Sequence, residues 1–260
     1  MLAFSSLLGN VEGQNIYRIW YDKPASYWEE ALPVGNGRIA AMVFGDPQLE
    51  QIQLNEETVS AGSPYQNYNE EAKTALPEMR RLIFEGKYEE AQNMAATKIL
   101  SQVGNEMPYQ TVGRLNIRYQ DHKKVNNYYR DLDISNAVAV TRYEVDGVEF
   151  TEETFASFTD QLVIRHIKAS KPGTINCELF FNTPMRDPKR SIYGKKGLRL
   201  EGITHGSRYF PGKVHYCADL DVKHKGGKVI TANDTLLSVQ GASELTLYIS
   251  MATNFVNYKI

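Results

Sequence analysis

Alternation of period two runs through most of this chain and limits its fold more than any other feature. Leu115, Ile117 and Tyr119 interleave with Arg114, Asn116 and Arg118. Leu162, Ile164 and His166 interleave with Val163, Arg165 and Ile167. Ile175, Cys177, Leu179 and Phe181 share one phase, as do Tyr216, Ala218, Leu220 and Val222, and again Leu245, Leu247, Ile249 and Met251. Successive side chains of a strand point to opposite faces, so each run offers one apolar face and one mixed face. An antiparallel stack of two sheets buries such faces against each other. Asp146-Gly147 lies between two runs and favours a type I′ turn, whose central residues both need positive φ. A hairpin of residues 137–144 with 148–155 is expected around it.

Residues 69–100 break the pattern with a helical period. Pro77 suits the first turn of a helix, where its missing N–H costs nothing. Leu76, Met79, Leu82 and Ile83 form a stripe, and Gly86 stands where a helix stops. A second stripe runs through Tyr88, Ala91, Met94, Ala95 and Ile99. The spacing predicts a helical hairpin inserted between strands. It either braces another domain or covers an edge of the sandwich itself.

The length of 260 residues suits one large sandwich, and no linker divides residues 15–260. A net charge of −2 provides no electrostatic footprint for nucleic acid or an anionic membrane. The apolar run Leu2 to Leu8 is far shorter than the ~20 residues that cross a bilayer. It is similar to the tail of a signal-peptide core, so residues 1–14 are expected to be a leader outside the fold. A periplasmic or secreted location is expected with it. Cys177 and Cys217 lie in strand-like runs, as buried thiols by default or as a disulfide pair in an exported chain.

Motifs for phosphate, metal or nucleophilic chemistry do not occur. His122, His166, His205, His215 and His224 have no ligand spacing, and there is no H-E-x-x-H, C-x-x-C, G-x-S-x-G or Gly-rich phosphate loop. No cofactor or metal is expected, apart from a weakly held surface calcium, which stays open. Glycosidases use two carboxyl groups. The adjacent pairs Glu29-Glu30, Glu56-Glu57 and Glu152-Glu153 are poor couples, because neighbours on a strand face opposite ways. They read as charged faces that want water. Lys195-Lys196-Gly197 and Lys225-Gly226-Gly227-Lys228 read as solvated turns.

Polar residues that alternation does not explain crowd into residues 27–64. Gly35-Asn36-Gly37 is a tight turn followed directly by Arg38, and Asn55, Glu56 and Thr58 end a strand. Trp28 beside this turn is either a core anchor, the reading favoured by its residue type, or a platform for a sugar ring.

The same segment resembles the opening of family-95 glycoside hydrolases, the α-L-fucosidase type known in bacteria. The resemblance runs through Trp28, Glu30, Ala31, Leu32, Pro33, Gly35, Asn36, Gly37 and Arg38, then Ala41 to Gly45, then Ile52 to Glu56 and Thr58. It continues in Leu76-Pro77-Glu78, Gly86-Lys87-Tyr88, Tyr109-Gln110, Tyr129-Arg130-Asp131-Leu132-Asp133 and Ala252-Thr253-Asn254-Phe255. It implies a mainly β fold: a super-β-sandwich of the galactose-mutarotase-like, glycoside hydrolase N-terminal type. It also implies that the acid and the water-activating base of an inverting hydrolysis sit in an (α/α)6 barrel beyond this chain. No catalytic residue is assigned here. The expected partners are that barrel and a glycan, with neither nucleic acid nor membrane. Trp28, Asn36, Arg38, Asn55 and Glu56 are the candidate sugar-facing or interface residues. Each could instead fix turns and strand ends, with Arg38 paired to Glu56 or to a backbone carbonyl. Ser60 replaces the family's Trp, and Thr111 and Arg114 its Pro and Asp, which opens the choice of sugar. A free-standing carbohydrate-binding module and a truncated structural domain are the competing expectations.

Overall fold

The computed structural model describes residues 17–62, 67–101, 107–206 and 211–257. The expected leader therefore lies outside the described residues. Among these, two antiparallel sheets form the fold. The larger runs β1 (Arg18–Tyr21), β6 (Val125–Asp133), β7 (Val138–Val145), β8 (Val148–Ser157), β9 (Leu162–Ala169), β16 (Glu244–Thr253), β13 (His215–Lys225), β12 (Gly197–Ile203) and β11 (Arg186–Tyr193). The smaller runs β14 (Lys228–Asn233), β15 (Leu236–Ala242), β10 (Ile175–Asn182), β5 (Gly113–Tyr119), β4 (Leu49–Glu56), β3 (Ile39–Val43) and β2 (Leu32–Gly35).

The sequence alternation fixes which face of each strand goes inward. Leu115, Ile117, Ile175, Leu179, Leu220, Leu245, Leu247 and Ile249 are fully buried in one core between the sheets. The β7–β8 hairpin turns at Asp146 and Gly147 with φ of 50° and 76°, as the type I′ signal requires. Cys177 and Cys217 are both free thiols, on strands of different sheets, so the disulfide option is not realised. Gly197 is not a loop tip: it opens β12 and is buried, because Tyr193 of β11 closes over it.

Helix α1 (Ala72–Phe84), helix α2 (Tyr88–Met94) and a π-turn (Ala95–Ile99) form the expected hairpin between β4 and β5. Pro77 does not sit in the first turn: α1 begins at Ala72, so Pro77 lies inside it and one N–H of the helical ladder is missing. The stop at Gly86 is as expected. Gly86 N–H donates to Ile83 O at 3.1 Å and Lys87 N–H to Leu82 O at 2.9 Å, which closes the last turn. The helices pack on each other and contribute nothing to the intersheet core. Leu82 and Ala91 are buried, while Ile83 and Tyr88 of the stripes are 41% and 68% exposed and Phe84 beside them 88%.

Candidate functional site

The Gly35-Asn36-Gly37 turn, the end of β4 and the end of β16 meet at one end of the sandwich. Asn36 is buried and serves the backbone. Its Oδ1 accepts from Arg38 N–H at 3.1 Å and Ile39 N–H at 2.9 Å, and its Nδ2 donates to Ser157 O at 2.8 Å. One amide thereby closes the β2–β3 turn and ties the smaller sheet to the end of β8. Arg38 reaches across the same end. Its Nη2 donates to Met251 O at 3.0 Å, and its Nε lies 3.5 Å from Glu56 Oε1. Both partners expected for a turn-fixing arginine are present together.

Glu56 is buried, and its Oε2 accepts from Thr58 N–H at 2.8 Å and Thr58 Oγ1 at 2.6 Å. Thr58 Oγ1 in turn contacts Thr253 Oγ1 of β16. Asn55 faces the opposite way from Glu56, with its side chain bonded to the Tyr109 hydroxyl. Tyr109 also donates to Glu56 O at 2.8 Å. Two of the three sequence departures gather here. Ser60 bridges to Tyr109, and Thr111 Oγ1 donates to Leu54 O at 2.9 Å. Arg114 instead lies on β5, exposed, with its Nη1 2.5 Å from Gln51 Oε1.

Trp28 is not a core anchor. It is 51% exposed, on a 3-10 turn (Trp28–Glu30), and no described contact joins its side chain to the other four candidates. The turn beneath it is held rigidly by Arg130. That side chain is fully buried; its Nε donates to Lys23 O and its Nη1 to Glu30 O, both at 2.7 Å, and its guanidinium lies 4.1 Å from the Tyr21 ring centre. Trp28 is exposed because this frame presents it. The Trp28 turn lies by the Phe44 end of β3, whereas Phe158, Phe255 and Val256, at 72%, 44% and 71% exposure, are open apolar side chains at the Asn36 end.

A second polar assembly was not foreseen, and it lies between the sheets. Arg165 of β9 is fully buried. Its Nη2 bonds Glu50 Oε2 of β4 at 2.9 Å and Glu152 Oε2 of β8, and its Nη1 donates to Thr154 Oγ1 at 2.7 Å. Tyr119 and Tyr143 both donate to Glu152 Oε1 at 2.7 Å. Glu50 Oε1 accepts from the N–H groups of Phe44 and Gly45 at 3.1 and 3.0 Å. Burial pushes the Glu50 carboxyl up to about 7, against the pull of Arg165. Burial also pushes both tyrosine hydroxyls far up, helped by the Glu152 charge.

The expectation that paired acids want water therefore fails for Glu56 and Glu152, each of which has an arginine partner. Their neighbours Glu57 and Glu153 are exposed, as alternation requires. The missed signal was phase. Arg165 shares the buried phase of Val163 and Ile167, and Glu50 that of Ile52 and Leu54. A charge on a buried phase demands a partner on the facing sheet.

Chemically, the open end offers hydrogen-bonding and stacking groups, while the interior acids are committed to Arg165. Among the described residues no cluster of His, Cys, Asp and Glu is arranged to hold a metal ion. No described helix is long and apolar enough to cross a membrane.

Residues 19–258 match the model of the glycosyl hydrolase family 65 N-terminal domain. An α-L-fucosidase 2 of Arabidopsis thaliana is 31% identical over 94% of this chain, and the match covers 31% of that protein. Two proteins described as probable α-fucosidase A are more distant. The one from Aspergillus niger is 26% identical over 91% of this chain and 30% of its own length, and the one from Aspergillus oryzae 25% over 96% and 35%. The chain thus spans about a third of the length of the curated relatives it matches. The family model carries the number 65 where the opening motif resembles family 95; the model describes the N-terminal domain of a glycosyl hydrolase. With the two-sheet fold, the match along nearly all of its length places this chain in the family of glycosyl hydrolase family 65 N-terminal domains.

Proposed function

We propose that this chain is the non-catalytic sandwich of a family-95-type glycoside hydrolase acting on α-L-fucosides or related glycans. The observation that carries the reading is the α-L-fucosidase 2 relationship, which uses 94% of this chain but only 31% of the relative. In this reading the bond is broken in a barrel outside these residues. A carboxylic acid there protonates the leaving oxygen, and a base-assisted water attacks the opposite face of the sugar, with inversion. The interior acids support the division, since Glu50 and Glu152 share one buried guanidinium and leave no room for a sugar between them.

The sandwich end at Asn36 and Arg38 is the side that meets the barrel. Phe158, Phe255 and Val256 lie open beside a polar network already satisfied from within, a pattern suited to an interface rather than to proton transfer. The helical hairpin, with Phe84 and Tyr88 open, is a second brace. The reading includes a single domain over residues 15–260, and export directed by the leader.

Hydrolysis of p-nitrophenyl α-L-fucoside is the test. The 260-residue chain alone is expected to be inactive, and a polypeptide continuing into the barrel active. Proton NMR of the first sugar released should show inversion. Turnover by the chain alone would remove the scaffold role, whereas inactivity of the longer polypeptide on every fucoside would remove the substrate class.

A further inference from the structure

The outer face of the larger sheet carries a groove that the reading above does not use. Its volume is about 480 Å³, and strands β9, β16, β13 and β11 line it. Strand register orders its floor. Ile164 lies beside Tyr248, Tyr248 beside Asp221, Asp221 beside Gly197, and Gly197 beside Tyr193. At the usual strand spacing the two tyrosine positions are about 14 Å apart, three strands across. Gly197 lets the Tyr193 side chain lean over β12, with its Cδ1 3.3 Å from where a Cβ would sit. A Cβ there would lie 2.4 Å from Leu220 O and 2.6 Å from Tyr193 O, so a larger residue is refused.

The polar groups of the groove are unequal. Arg199 grips both oxygens of Asp219, at 2.7 and 2.6 Å, and lies 4.4 Å from the Tyr193 ring centre. Lys223 Nζ lies 5.0 Å from the Tyr248 ring centre. Each ring is thus steadied by a cation. Asp221 is exposed between the rings, and no hydrogen bond or ion pair engages its carboxylate among the described residues. Asp219 is neutralised, so the groove does not present two free acids facing each other.

We propose that this groove binds a neutral oligosaccharide. The C–H face of a pyranose packs on the open part of a tyrosine ring. The free Asp221 carboxylate accepts from two neighbouring hydroxyls, which an apolar peptide lacks, and it repels the carboxylates of an anionic glycan. The spacing of the two tyrosine positions across three strands leaves room for a short run of sugar units. At its Asp160 end the groove borders Gln161, whose Oε1 lies 3.5 Å from Arg38 Nη1, so a bound chain would run toward the candidate end of the sandwich. The site holds a glycan without cleaving it. It goes beyond the proposed function and does not depend on where the catalytic acid lies.

Isothermal titration of the whole 260-residue chain, with NMR shift mapping, tests this with cellohexaose and 2′-fucosyllactose as neutral probes and polygalacturonate as the anionic one. At least one neutral probe should bind and shift the groove resonances, and polygalacturonate should not. Tyr248→Ala and Tyr193→Ala should each weaken binding at least tenfold, Tyr248→Phe should retain it, and Asp221→Asn should weaken it severalfold. Phe180→Ala, on the other sheet, should change nothing. No response to either neutral probe, or equal binding by the alanine variants, would overturn the site. Fucoside hydrolysis by the longer polypeptide without groove binding would leave the proposed function standing. Groove binding without hydrolysis would do the reverse.

Discussion

Two arginine–carboxylate assemblies occur in this sandwich, and they differ mainly in their access to water. At the open end, the Arg38 side chain is 37% exposed and pairs with Glu56, which two bonds from Thr58 already satisfy. Between the sheets, Arg165 at zero exposure serves Glu50 and Glu152 at once. The first pair loses little if broken, because solvent replaces the missing partner. The second has no solvent to fall back on. The contrast separates an end that can be altered for recognition from a clamp that joins β4 to β8 and β9 across the core.

Removing the clamp's cation should have the largest effect. Arg165→Met leaves two acids facing each other in the core and should cost about 3–5 kcal/mol. That corresponds to a fall in Tm on the order of 10 °C for a chain of this size. Calorimetry of the purified chain checks it. Replacing Arg165, Glu50 and Glu152 together with apolar residues of similar volume should recover much of the loss, since no charge is then stranded.

The pH dependence should come next. An ordinary glutamate titrates near 4.5, and Glu50 in the folded chain at about 7. Between those values the folded state holds a proton that the unfolded chain releases. The contribution is therefore complete below pH 4.5 and disappears as pH rises through about 7. At about 1.4 kcal/mol per pH unit per proton, the loss reaches roughly 3 kcal/mol. Urea unfolding at a series of pH values should show that decline, and Glu50→Gln should flatten it. A wild-type profile already flat from pH 5 to 7 would mean that the clamp keeps Glu50 charged throughout, with Arg165 dominant over burial.

At the open end, Asn36→Ala should be the most damaging change. It removes three hydrogen bonds from a buried amide and strands the N–H groups of Arg38 and Ile39, at about 1–3 kcal/mol. Equilibrium unfolding measures it. A cost near zero would mean that water takes over the turn.

How much of this could be read from the chain depends on whether a residue's partners are local. The strands were legible because period two is a local signal, and Leu115, Ile175 and Leu245 went inward as their phases required. The Asp146-Gly147 turn and the Gly86 stop were legible for the same reason. Pro77 misled because a helix starting at Ala72 tolerates one missing N–H, and composition does not locate the first turn. Trp28 misled because residue type favours burial, while the outcome was set by Arg130, 102 positions away in the chain. Of the five nominated residues, Asn36, Arg38 and Glu56 join one network and Asn55 borders it through Tyr109, but Trp28 stands apart. The Glu50–Glu152–Arg165 clamp needs sheet pairing to be seen at all. Its three charges sit 102 and 13 residues apart, and only the phases of their strands hinted at it.

The smallest expected effect sharpens the contrast most. Arg38→Gln removes an ion pair at 3.5 Å and one bond to Met251 O, yet Glu56 keeps both bonds from Thr58. Glu56 is buried but stays hydrogen-bonded, and the exposed guanidinium was already screened by solvent. The stability loss should stay below about 1 kcal/mol, a Tm change of roughly 2–4 °C or less. If the proposed function holds, the same change in the longer polypeptide should be felt more in fucoside hydrolysis than in stability, because it alters the surface proposed to meet the barrel. If Arg38→Gln instead unfolds the chain as readily as Arg165→Met, access to water is not what separates the two arginines. The open end would then be a structural clamp of the same kind, and its polar network could not be counted as a surface for recognition.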